Sequence, residues 1–102
     1  MPVATPPADG PVIDQGVLGE WPIVMILSAE LDPGDAQDAA VGWAGDAYVA
    51  WSADDRTCVR ATIVMDEGEV DALDAAWTTW ADGHDDAQVE RTADGVTLTA
   101  CG

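Results

Sequence analysis

The only cysteines of the chain, Cys58 and Cys101, each fall in a stretch that alternates between two kinds of residue. In residues 57–65 (TCVRATIVM), Val59, Ala61, Ile63 and Met65 share one parity, while Cys58, Arg60, Thr62 and Val64 share the other. In residues 95–101, Val96, Leu98 and Ala100 alternate with Thr97, Thr99 and Cys101. Successive side chains of a strand point to opposite faces. Each stretch is therefore expected to be a strand with one buried face and its cysteine on the other. If these two strands are neighbours, the sulfurs can meet without backbone distortion. Bridging a loop of this length stabilises by about 4 kcal/mol in the chain-entropy model. The alternative is a pair of reduced surface thiols in a cytosolic protein. The pair has neither CxxC spacing nor a histidine beside it, so a zinc site is not indicated. A disulfide implies an extracytoplasmic compartment.

The remaining elements follow from periodicity and punctuation. Glu20 ahead of Trp21 and Pro22 fits a helix start, with Ile23, Val24, Leu27 and Leu31 on one apolar face, although the same run also fits a buried strand. Asp32 as cap, Pro33 in the first turn and Asp35 near the positive end of the dipole predict a short alanine-rich helix stopped by Gly42. Residues 46–51 alternate as a strand, and Ser52 to Asp55 turn the chain. Asp66 and Glu69 have capping-box spacing, and Val70, Leu73, Trp77 and Trp80 recur on one helical face up to Gly83. A hairpin around Ala93, Asp94 and Gly95 completes the chain. The expected fold is α+β: a four-stranded antiparallel sheet of two hairpins in the order β-β-α-β-β, helices packed on one face, preceded by two N-terminal helices.

Charge limits the partners. Twenty acidic residues, fifteen of them aspartate, oppose three arginines and no lysine, for a formal charge of −17. Such a surface repels nucleic acid, whose phosphates must be met by Lys and Arg, and it repels anionic membranes. A basic protein, a cationic ligand or a metal ion would be attracted, at rates that fall with salt. Yet 48% hydrophobic residues and five tryptophans are too many for a disordered acidic tail. Solubility in high salt, or a bias of the genome, would produce the same surface with no partner involved. Residues 1–16, with four prolines between Pro2 and Pro11, read as a mobile linker, and residues 17–102 as one domain. This linker has neither the basic nor the apolar region of a signal peptide, so a signal or lipid anchor is expected upstream of Met1. The run WPIVMIL is too short to span a membrane.

The stretch GWAGDAYVAW, residues 42–51, admits two readings. In one, Trp43, Asp46, Tyr48 and Trp51 form an exposed interaction patch. In the other, Trp43 fills the gap between the short helix and the sheet, Asp46 caps a turn after Gly45, and Tyr48 or Trp51 packs on the helix bearing Trp77 and Trp80. The second is favoured, since a chain without phenylalanine must build its large core surface from tryptophan. For metal, Asp82, His84, Asp85 and Asp86 offer a weak ligand set, and Asp66, Glu67, Glu69 and Asp71 a second one that helix capping already explains. Neither fits an EF-hand loop. His84 at a helix end is favoured there by the dipole. Ser28 and Ser52 lie in no nucleophile context, so no catalytic residues are assigned.

With its following strand and helix, the same stretch resembles a module of secreted or lipid-anchored actinobacterial and haloarchaeal proteins whose core reads G-W-G-G-D-R-Y. Gly42, Trp43, Gly45, Asp46 and Tyr48 match, Ala44 and Ala47 depart from the usual glycine and arginine, and Trp77 takes the aromatic place of the helix motif D-x-x-D-A-x-x-F. The similarity covers about residues 17 to 101. It implies this fold and export; the resemblance carries no established activity with it. Some longer relatives look like metallopeptidases, but no HExxH motif occurs in this chain. The expected role is a non-catalytic, exported accessory or protein-interaction domain, acidic and disulfide-stabilised, without a cofactor and with a protein partner that could be basic. The alternatives are an acidic mimic of nucleic acid occupying a basic groove, and a metal-binding or hydrolase-associated module.

Overall fold

The computed structural model describes residues 3–66, 68–84 and 87–101. Five strands and three helices follow in the order β1 (Val12–Gly16), α1 (Glu20–Leu27), α2 (Pro33–Ala40), β2 (Trp43–Ala53), β3 (Arg56–Met65), α3 (Val70–Asp82), β4 (Ala87–Arg91) and β5 (Gly95–Cys101). The strands form one antiparallel sheet in the order β1-β2-β3-β5-β4. The α+β class stands, but the expected four-stranded sheet preceded by two helices does not. A fifth strand, β1, comes before both helices and pairs with β2, so part of the segment read as linker belongs to the sheet. β1 carries no alternation to announce it, because its first four residues are all exposed.

Register assigns the faces. Tyr48, Ala61 and Leu98 line up across β2, β3 and β5, as do Asp46, Ile63 and Val96. These residues look toward the helices, where Ile23, Leu27, Leu73 and Trp77 complete a fully buried core. Trp77 meets Trp80 edge to face at 5.3 Å. Its buried indole N–H has no acceptor among the described residues, so this side chain is held by packing alone. On the opposite face, Trp51, Cys58 and Cys101 form one row. The two sulfurs are bonded, as the shared parity of the two strands allowed once β3 and β5 are neighbours.

The helix ends rely on backbone bonds more than the sequence suggests. Asp32 and Glu69 occupy the N-cap positions of α2 and α3, and neither side chain makes a capping bond. The capping box between Asp66 and Glu69 is therefore replaced by a backbone turn, the Glu69 N–H donating to the Asp66 carbonyl at 3.0 Å. Gly95 marks the closest strand approach. A Cβ there would collide with the Ile63 carbonyl oxygen and lie 3.0 Å from Val64 Cα, so the start of β5 can lie against β3 only with glycine.

Candidate interaction surfaces

The residues of the GWAGDAYVAW stretch do not form one patch, because β2 sends them to different faces. Asp46 is 3% exposed. Its carboxylate accepts the Leu18 N–H at 2.6 Å, the Gly19 N–H at 2.8 Å and the Trp43 indole N–H at 2.9 Å. Gly19 is the N-cap of α1, with φ at +89°. Asp46 therefore places a negative charge at the positive end of α1 from 27 residues away in sequence. It caps a distant helix and not a turn after Gly45. Trp43, half-buried, packs against the helical core while its indole N–H reaches Asp46. The Tyr48 hydroxyl donates to Asp14 at 2.8 Å and pins β1 to β2. That bond to a carboxylate is the main cause that raises the Tyr48 hydroxyl above its ordinary pKa.

Trp51 is buried on the other face, beside the disulfide. Arg60 lies over its ring at 5.0 Å and distributes its donors to the Thr99 hydroxyl at 3.1 Å, the Pro7 carbonyl at 2.6 Å and Asp9 at 2.9 Å. The proline-rich segment is thus drawn across the back of the sheet. Pro6 is buried, Ala8 packs against the cluster of Val49, Trp51 and Cys58, and the Pro11 carbonyl accepts the Ser52 N–H at 3.0 Å. Gly10 permits this passage, since a Cβ there would lie 2.6 Å from the Ser52 carbonyl oxygen and 2.9 Å from the Trp51 ring.

Of the weak metal candidates, Asp85 and Asp86 lie outside the described residues. His84 stacks on Trp80 at 3.9 Å and stands 3.6 Å from a Glu30 oxygen. Those contacts tie the end of α3 to the turn after α1. Among the described residues, no three His, Cys, Asp or Glu side chains converge as a metal site would require. No helix among them is long and apolar enough to cross a membrane.

Two surface features were not singled out from the sequence. The first is an open groove of about 510 Å³ between α2 and α3, with Glu30, Asp32, Asp35 and Asp38 on one wall and Ala72 and Ala75 on the other. The second is apolar. Trp21 and Met25, one helical turn apart on α1, are 63% and 62% exposed, with Val17 just before the helix and Val41 at the end of α2 exposed to a similar degree. The sequence carried a signal for the second feature. Once Ile23, Val24 and Leu27 are assigned to the core, the other side of α1 is left with a tryptophan and a methionine in place of polar residues.

No curated protein and no solved structure matches the chain. A family model does match, over residues 10–100, from the Gly10 crossing to the strand that carries Cys101. The chain thus belongs to the family described as a domain of unknown function, DUF8575.

Proposed function

We propose that this chain is a non-catalytic protein-interaction domain of an extracytoplasmic protein, its fold stabilised by a disulfide and its surface made soluble by carboxylates. The observation that carries the compartment is the pairing of Cys58 with Cys101, directly opposite in register on adjacent strands. Bonds of this kind persist in oxidising surroundings and are rare where thiols are kept reduced. The interaction role draws support from the exposure of Trp21 and Met25, since a tryptophan left in water on an otherwise acidic surface is typical of contact sites. The single histidine is already engaged with Trp80 and Glu30, in line with a role in holding α3.

A thiol titration under denaturing conditions, on protein recovered without reductant from its native cell fraction, tests the compartment. No free thiol is expected. The Cys58→Ala/Cys101→Ala variant should lose about 4 kcal/mol of unfolding free energy. Two titratable thiols per chain, or a variant as stable as the parent, would remove the ground for export.

A further inference from the structure

Resting on the interaction reading above, we infer that the exposed side of α1, centred on Trp21 and Met25, is the docking surface for a cationic amphipathic segment of a partner protein. α1 is apolar on both sides. Ile23, Val24 and Leu27 are buried beneath it, while Trp21 and Met25 stand in water. A helix apolar all round is normally enclosed, and this one is enclosed on one side only.

Charge selects the occupant. No Lys, Arg or His precedes Arg56 in the sequence, so β1, α1 and α2 carry carboxylates and no cation. Asp14, Glu20, Glu30, Asp32, Asp35 and Asp38 all belong to this half. The chain's few cations lie elsewhere and are already engaged. Arg60 is held by Asp9, Pro7 and Thr99, Arg91 pairs with Asp71 and Asp74, and Arg56 has a partner of its own. A second copy docking here would bring another −17 charges against this one, and an anionic membrane would be repelled in the same way. A segment with apolar anchors flanked by Lys or Arg meets both requirements, covering Trp21 and Met25 while its cations face the carboxylates of α1 and α2. Addition of a strand to β1 is disfavoured, because the Gln15 N–H is already taken by Asp14 at 2.9 Å and a bulge interrupts the pairing between Val12 and Asp14.

The test uses two synthetic peptides of equal length and charge, one of lysine and leucine patterned as an amphipathic helix, the other with serine in place of leucine. Binding is followed by calorimetry and by tryptophan emission, to which Trp21 is the most exposed contributor. The leucine peptide is expected to bind about tenfold or more tightly than the serine peptide and to shift emission to shorter wavelength. The Trp21→Ser/Met25→Ser variant should abolish that preference while leaving serine-peptide binding and the circular dichroism spectrum unchanged. The assignment is overturned if the variant keeps the preference, if neither peptide binds the parent, or if sedimentation shows a dimer of the parent that the variant loses. None of these outcomes alters the thiol titration, so this surface can fail while the compartment stands.

Discussion

Asp46 joins two segments through one carboxylate: the start of α1, through the Leu18 and Gly19 N–H groups, and the head of its own strand β2, through the indole of Trp43. Replacing it with alanine strands three buried or half-buried donors at once, each costing about 1 to 3 kcal/mol when left unpaired. Some of that is recovered by water entering at Leu18. Asp46→Ala should therefore destabilise by about 2 to 4 kcal/mol in urea unfolding followed by tryptophan fluorescence, and Asp46→Asn, which keeps an acceptor, by less. Equal stability of the alanine variant would show that the carboxylate does not hold α1. Sequence reasoning favoured a structural role for this aspartate over exposure, and on that count it was informative. The partner it caps was not legible, because Leu18 and Gly19 come within reach only after the sheet has formed.

β1 depends on contacts made by its neighbour. Its outer side is unpaired among the described strands, and the bond from Tyr48 to Asp14 adds a side-chain tie to its ladder. The tie requires the phenol proton. Because the folded hydroxyl is raised above its ordinary value, the stability it contributes is complete below about pH 10 and disappears as pH climbs through the raised value, when phenolate would face the Asp14 carboxylate. Amide exchange of Gly16, corrected for its intrinsic pH dependence, should accelerate in that range relative to β3. In Tyr48→Phe it should already be faster at neutral pH and show no further alkaline step. Elements with a clear period were legible: β3 and β5 through strict alternation, and with them the disulfide, and α3 through Val70, Leu73, Trp77 and Trp80. β1 was not, because an edge strand exposed at Val12, Ile13, Asp14 and Gln15 leaves no polarity pattern.

At the scale of the whole molecule, the net charge of −17 opposes the compact state, and that repulsion is screened within about 10 Å at 0.1 M salt and 3 Å at 1 M. The melting temperature should therefore rise by several degrees between 20 mM and 1 M sodium chloride, as a shift on the order of 1 kcal/mol gives for a domain of this size. A flat response in differential scanning calorimetry would mean that the carboxylates are already spaced widely enough not to repel. Composition made this property legible without any fold. The uneven distribution of charge became meaningful only when the fold left Trp21 and Met25 exposed on α1, which packs beside the acidic α2.

The crossing of residues 6–11 beneath Trp51 and the disulfide gives the domain an orientation. The chain reaches the sheet here on the side away from the three helices, as a stem meets the underside of a leaf. Were such a stem fixed to a cell envelope, the helical layer would be turned outward, toward whatever diffuses past.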